Sequence, residues 1–197
     1  TDIAGQVAQA LDVALGDSSR QQLAERPTQN LAAYDAYLRG EGVSNAGVAS
    51  DPATLRRAAA YYEQATALDP TFALAWARLG VTRSRLYFNS APTPTAREAA
   101  QVAVARAMAL APRRAESYQA QGWMYLSVEQ DLPRAEQAFQ SALRLAPGDP
   151  MTLSSLANIE ASTGRADSAV AHARRAADVD PRSANAALRL GLVLRRL

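Results

Sequence analysis

The side chains that could catalyse a reaction or bind a metal are few in this sequence. Its 197 residues contain one histidine, His172, and no cysteine, which excludes disulfides and thiolate metal sites. Because His172 has no second histidine or cysteine with which to share a metal, we expect it to be an exposed surface residue. The carboxylates of Glu116, Glu129, Glu136 and Glu160 are scattered, whereas general acid–base chemistry needs groups placed together. The residues therefore predict no enzymatic activity, no metal and no cofactor.

The charge balance bears on nucleic-acid binding. Arginine supplies all 21 basic residues against 19 acidic ones, so the net charge is only +2. A nucleic-acid interface typically shows a basic stripe, and the arginine pairs at 113–114, 174–175 and 195–196 do not form one in the sequence. We expect these pairs on exposed surfaces or at helix ends, and we expect no nucleic-acid partner.

The hydropathy pattern argues against membrane insertion by this chain. No apolar run approaches the ~20 residues that a bilayer-spanning helix needs, and no signal-peptide pattern is present. The absence of lysine is typical of a GC-rich bacterial genome, and the initial threonine indicates a piece of a longer protein. Localisation is left open between cytoplasm and periplasm, with a transmembrane segment allowed elsewhere in the full-length protein.

Residues 118–147 indicate the elements that organise the chain. An aromatic helix carrying Gly122-Trp123 is followed by a second helix carrying Ala135 and Phe139, which ends before Pro147. Proline cannot continue a helix, and the small residues allow two helices to approach each other. This order predicts a helix–turn–helix unit.

Helix-ending prolines show that the unit recurs. Pro70, Pro112, Pro147 and Pro181 are separated by 42, 35 and 34 residues. We attribute the longest interval to extra residues in a loop at 89–95, where proline, serine and asparagine cluster. A spacing of this size predicts stacked helical repeats.

Two motifs connect this spacing to a known family. The segment Trp76–Gly80 reads W-x2-L-G, and Ala135–Phe139 reads A-x3-F. Residues 31–197 thus resemble a tetratricopeptide repeat (TPR) domain. Arg83 and Glu160 depart from the motif, which has tyrosine at those positions.

The resemblance implies an all-α fold, a right-handed α-α superhelix of antiparallel helix pairs. Residues 1–29 match no repeat, and we expect them to form a helical cap because the end units of such a stack need covering. The implied repeats lie at about 31–70, 71–112, 113–147 and 148–181, with the first helix of a fifth at 182–197.

The motif also assigns packing roles. Close approach of paired helices is expected at Gly80, Gly122 and Gly191 and at Ala58, Ala100, Ala135 and Ala169. Larger side chains are expected to fill the core, namely Tyr62, Trp76, Tyr118, Phe139 and Leu153.

In this family the first helix of each unit lines an inner, concave face. Trp123 is the strongest candidate anchor there, because tryptophan is enriched among residues that dominate interface energetics. Carried onto this sequence, the partner-binding positions are Leu74, Ala77, Val81, Ser84, Arg85, Glu116, Gln119, Trp123, Leu126, Ser127, Met151, Ser154, Asn158, Asn185, Leu188 and Leu192.

A second resemblance concerns residues 1–80. The runs Ile3–Leu11, Arg26–Asn30, Ala33–Gly40 and Tyr62–Pro70 are similar to the repeat-bearing C-terminal region of bacterial adenylate cyclases, serine/threonine kinases and membrane-anchored transcriptional regulators. That likeness implies the docking or sensing part of a signalling protein.

Three functions are compatible with these patterns. The leading expectation is a non-catalytic scaffold that binds a protein or peptide on its concave face. One alternative is a small-molecule-sensing domain that regulates an attached catalytic or DNA-binding domain. Another is self-association as a homodimer, because no second helix follows the apolar residues of the last one, Leu188, Leu190, Val193, Leu194 and Leu197.

Overall fold

A computed structural model describes residues 27–46, 50–90, 92–179 and Gly191. Residues 1–26 of the expected cap at 1–29 lie outside this description, as does all but Gly191 of the expected fifth unit at 182–197. The described chain contains eight α-helices and no strand. They are α1 (Leu31–Ala46), α2 (Pro52–Leu68), α3 (Ala73–Asn89), α4 (Pro94–Leu110), α5 (Ala115–Met124), α6 (Leu132–Leu145), α7 (Pro150–Ser162) and α8 (Ala166–Val179).

Several helices begin at an Asp or Thr cap followed by proline. The Asp51 carboxylate accepts hydrogen bonds from the backbone amides of Ala53 and Thr54, and Asp149 accepts one from Thr152. Pro52 and Pro150 occupy the first helical turn. Proline lacks a backbone N–H, but an N–H at this position would have no partner within the helix. Asp51-Pro52 thus supplies α2 with both a cap and a first-turn proline.

The helices stack in consecutive pairs. Helix α1 packs on α2, α3 on α4, α5 on α6 and α7 on α8. Neighbouring pairs are joined where α2 contacts α3 and where α3 lies against α5. Because each pair has one apolar side that it cannot bury alone, this stacking buries apolar residues in a series of core clusters along the stack.

Small residues occupy the core positions that the motif implies, and the larger residues do so in part. Ala58, Ala100, Ala135 and Ala169 are all at most 1% exposed, so paired helices meet at these positions. Of the larger side chains, Tyr62, Phe139 and Leu153 are fully buried, whereas Trp76 and Tyr118 are half-buried.

Close contact between paired helices also explains why glycine occupies some positions within them. A Cβ atom on Gly80 would lie 2.9 Å from Cγ2 of Val104, which confirms the role expected there. Gly40 was not singled out by the motif, yet a Cβ atom there would lie 2.5 Å from Cε1 of Tyr62. A Cβ atom on Gly191 would meet no described residue within 4 Å, so the described chain gives no support for the close approach expected there.

Helix α5 ends in a π-helical turn at Tyr125–Glu129. The Asp131 amide donates to the Tyr125 carbonyl at 2.9 Å, and Gln130 adopts a left-handed conformation with φ 56°. A π-helical turn accommodates an additional residue within a helix. It therefore accounts for the 35-residue interval before Pro147, which is one longer than the interval that follows.

The 42-residue interval has a different cause from the one expected. Helices α3 and α4 have 17 residues each, against 13 and 14 in α7 and α8. Helix α3 runs to Asn89, and α4 begins at Pro94. The expected loop at 89–95 is therefore shorter, and the extra residues mainly lengthen the two helices. Proline at the start of α4 is compatible with this because its fixed φ suits a first helical turn.

Candidate interaction surface

The residues expected to bind a partner differ in accessibility. Three of them, Asn185, Leu188 and Leu192, lie outside the described residues. Seven are half-buried and can be reached from solvent, namely Leu74, Arg85, Glu116, Trp123, Leu126, Met151 and Asn158. Six are buried, namely Ala77, Val81, Ser84, Gln119, Ser127 and Ser154.

The six buried residues are covered by the fold and offer no accessible contact surface. Ala77 and Val81 belong to one core cluster. The Ser84 hydroxyl donates to the Gly80 carbonyl at 2.8 Å, and the Gln119 amide donates to the Thr152 hydroxyl at 3.1 Å. The last bond joins α5 to α7. Because first helices of neighbouring units lie this close together, positions that the motif assigns to the inner face are covered here.

Trp123 makes two ring contacts, one of them with another accessible residue. Its ring meets Phe139 edge-on, with ring centroids 6.1 Å apart and planes at 85°. The guanidinium carbon of Arg85 lies 5.0 Å from the Trp123 ring centroid, within the range of a cation–π contact. The indole N–H is buried and has no hydrogen-bond partner among the described residues. Trp123 is thus both a packing residue and part of the surface.

Two further side chains extend this surface. Met151 packs against the same core cluster as Trp123, and Leu126 joins Trp123 against the cluster that contains Phe139. All are partly exposed. We refer to Arg85, Trp123, Leu126 and Met151 as the Trp123 surface.

A polar network that no sequence pattern indicated joins the first two helix pairs. The Tyr62 hydroxyl donates to Glu41 Oε1 at 2.6 Å and lies 3.1 Å from the Ser44 hydroxyl. Arg78 Nε lies 3.2 Å from the same Glu41 oxygen, an ion pair in which the N–H is not aligned as a hydrogen bond. Glu41 and Arg78 are on helices α1 and α3, and no local pattern connects them.

Burial raises the pKa values of two tyrosines next to Arg78, namely Tyr37 and Tyr62. Burial raises the pKa of Tyr37 to about 12, with the Arg78 guanidinium opposing the change. Burial and the Glu41 carboxylate raise the pKa of Tyr62 well above its ordinary range. Both phenols therefore stay neutral at physiological pH, which suits a structural connection between units.

His172 is not the exposed surface residue that the sequence predicted. Its Nδ1 lies 2.8 Å from the Glu160 carboxylate, whose side chain is only 6% exposed. Glu160 stands where the motif has tyrosine, and the His172 imidazole gives this buried carboxylate a partner. Arg83, the other departure from the motif, donates to the Ala99 carbonyl and to Glu63.

The described part of the chain shows neither a metal-binding cluster nor a membrane-spanning helix. It contains no group of three or more His, Cys, Asp or Glu side chains arranged to hold a metal ion. None of its helices combines the length and the apolar character that crossing a bilayer requires.

Comparison with known proteins identifies the architecture. No protein-family model matches the chain, and no curated protein matches it. Among solved structures, the chain is similar to TTC0263, a thermophilic TPR protein in Thermus thermophilus, with a TM-score of 0.65 and 21% identity over 89% of this chain and 87% of that one. A MamA crystal structure has a TM-score of 0.48 at 20% identity over 73% of this chain and 78% of that one. The likeness to TTC0263, together with the stacked helix pairs, shows that the chain has the all-α superhelical fold of a TPR solenoid.

Proposed function

We propose that this chain is a non-catalytic scaffold that binds a peptide or protein domain on the side formed by its first helices. The observation that carries this proposal is the Arg85–Trp123 contact, with its half-buried cation and aromatic ring. Tryptophan and arginine are among the residue types most enriched at positions that dominate interface energetics.

The hydrogen bonding of Trp123 supports a role other than stability. An unpaired buried N–H costs about 1–3 kcal/mol, and the Trp123 indole N–H is unpaired within the described residues. A phenylalanine would pack against Phe139 without that cost. Tryptophan at this position is therefore better explained by recognition than by packing alone.

The composition of the accessible positions favours an elongated partner segment. Apolar Leu126 and Met151 lie between polar Glu116 and Asn158 in the chain, on α5, its π-helical end and α7. An amphipathic helix or extended peptide presents such a mixture of apolar anchors and polar contacts. We propose a partner of this kind.

Site-specific photocrosslinking tests the proposal. A photoreactive amino acid replaces Asn158 on the first-helix side or Arg174 on α8, and both variants are expressed in the cells that produce the protein. We expect one protein to be captured through position 158 and not through 174. Binding of that purified protein should fall at least tenfold in Trp123→Ala and stay unchanged in Arg174→Ala. Capture through both positions alike, or equal affinity of the two alanine variants, would contradict the proposal.

We also propose that the scaffold is the docking or sensing part of a larger bacterial signalling protein. The support is the resemblance of residues 1–80 to repeat regions attached to cyclases, kinases and transcriptional regulators. The neighbouring coding sequence tests it, because a catalytic or DNA-binding domain in the same reading frame is the expected result. An unrelated neighbouring domain would contradict it.

A further inference from the structure

A cleft of about 440 Å³ opens on the side of the molecule formed by the second helices. It lies between α6 and α8, with α7 contributing Leu156 and Glu160. Its volume falls within the roughly 300–1,000 Å³ that small-molecule sites occupy. None of the residues that line it belongs to the Trp123 surface.

The cleft combines an apolar part with a hydrogen-bonding part. Leu143 and Leu156 provide apolar wall, and Leu156 is 1% exposed. His172 uses Nδ1 for Glu160, which leaves Nε2 as the ring nitrogen that can bond a ligand. Ligand sites characteristically combine apolar walls with a small number of polar groups.

The charge around the cleft is positive. Arg144 and Arg175 line it and are both exposed. Arg144 donates to the Ser141 hydroxyl at 2.8 Å, which leaves most of its five N–H groups for a ligand. The one lining carboxylate, Glu160, is partnered by His172. The nearby carboxylate of Glu136 is held by both terminal nitrogens of Arg165.

We propose that this cleft binds a small organic anion. The apolar body of the ligand lies against Leu143 and Leu156, and its carboxylate or phosphate group is bound by Arg144 and Arg175. Arginine suits this role because its planar N–H groups match both oxyanions in paired hydrogen bonds. This site is separate from the proposed partner-binding side, and neither proposal depends on the other.

The test uses phenyl phosphate and phenylacetate as probes, with benzyl alcohol as the neutral analogue. Two-dimensional NMR of the protein labelled at leucine methyl groups follows each titration. We expect saturable shifts at Leu143 and Leu156 with at least one anion, and a Kd in the millimolar range because the probes are small. The two anions distinguish a phosphate from a carboxylate ligand.

Arg175→Glu and Arg174→Glu form the decisive pair, because both arginines are exposed neighbours on α8 and only Arg175 lines the cleft. We expect anion affinity to fall at least tenfold in Arg175→Glu and to change less than twofold in Arg174→Glu. Unchanged methyl spectra without ligand will show that both variants are folded. Equal effects in the two variants, equal affinity for benzyl alcohol, or no saturation by either anion at about 10 mM would overturn the proposal.

Discussion

A Cβ atom placed on Gly122 would lie 2.7 Å from Cε1 of Phe139, closer than side chains approach in folded proteins. Phe139 is fully buried, so its ring has little room to move. Helices α5 and α6 therefore meet at a distance that only glycine permits.

The first prediction concerns this contact. Gly122→Ala gains up to about 1 kcal/mol of helix propensity but forces a displacement that costs about 1–3 kcal/mol. We expect a net loss of unfolding free energy in urea denaturation. Gly42→Ala is the matched control, because it lies in α1 with nothing within 4 Å of the added Cβ, and it should be stabilised. A Gly122→Ala variant as stable as Gly42→Ala would show that α5 and α6 can separate without penalty.

The role of Gly122 could be predicted from the sequence because the repeat motif specifies it. The same holds for Ala135 and Phe139, whose spacing depends only on helical geometry and the regular period. The π-helical turn at 125–129 was not predicted, since Gln130 carries none of the usual signs of a left-handed residue. A one-residue insertion can be absorbed in a helix or in a loop, and the sequence does not distinguish the two.

The second prediction concerns alkaline pH. The pKa of Tyr37 is raised to about 12 by burial, against about 10 in the unfolded chain. A raised pKa stabilises the folded state fully below pH 10, and this contribution is lost as pH rises through 12. We expect the unfolding free energy to decline between pH 10 and 12 by up to about 1.4 kcal/mol per pH unit for Tyr37, measured in urea titrations.

Tyr37→Phe provides the control for that measurement. The variant should lose part of the alkaline decline, while Tyr34→Phe, at a more exposed tyrosine that stacks on Tyr37, should retain it. A decline of the same size in both variants would assign the effect to other groups.

The third prediction concerns the polar network between the first two helix pairs. Glu41→Ala removes the ion-pair partner of Arg78 and the carboxylate that accepts the hydrogen bond of the Tyr62 hydroxyl. Removing one partner of a partly buried pair should cost about 2–3 kcal/mol of unfolding free energy. The double variant Glu41→Ala/Arg78→Met should recover part of this loss, since it no longer leaves a charge unpaired. Equal stability of the single and double variants would show that solvent already compensates Arg78.

The fourth prediction concerns the Arg165–Glu136 pair, which joins α6 to the turn before α8. Hydrogen bonds from Arg165 hold the pKa of Glu136 below its ordinary value. A lowered pKa stabilises the folded state above the ordinary carboxyl range, and this contribution is lost as pH falls from about 4 through the lowered pKa. A double-mutant cycle of Arg165→Ala and Glu136→Ala should show favourable coupling at pH 7 that weakens progressively as pH falls below about 4. Coupling that does not decline at all over the acid range would exclude the ion pair as its source.

The accessible part of the interaction surface could be predicted only in part. The motif placed Arg85 and Trp123 on first helices, and the structure brings these two into contact. It could not show that Gln119 would be buried, because that depends on the hydrogen bond to Thr152 in the next unit. The expectation for His172 failed for a related reason. Its partner Glu160 lies on the preceding helix, and the motif records only that a tyrosine is missing there.

The last prediction separates the two tryptophans. The Trp76 indole N–H donates to the Pro70 carbonyl at 2.9 Å, whereas that of Trp123 has no partner in the described chain. Replacement by phenylalanine removes a similar volume at both sites but breaks a hydrogen bond only at Trp76. We therefore expect Trp76→Phe to lower the unfolding free energy by about 1 kcal/mol more than Trp123→Phe, measured by urea denaturation followed by circular dichroism. If Trp123→Phe is the more destabilising, the indole N–H of Trp123 is bonded in the folded protein, and the reason for assigning this tryptophan to recognition rather than packing is lost.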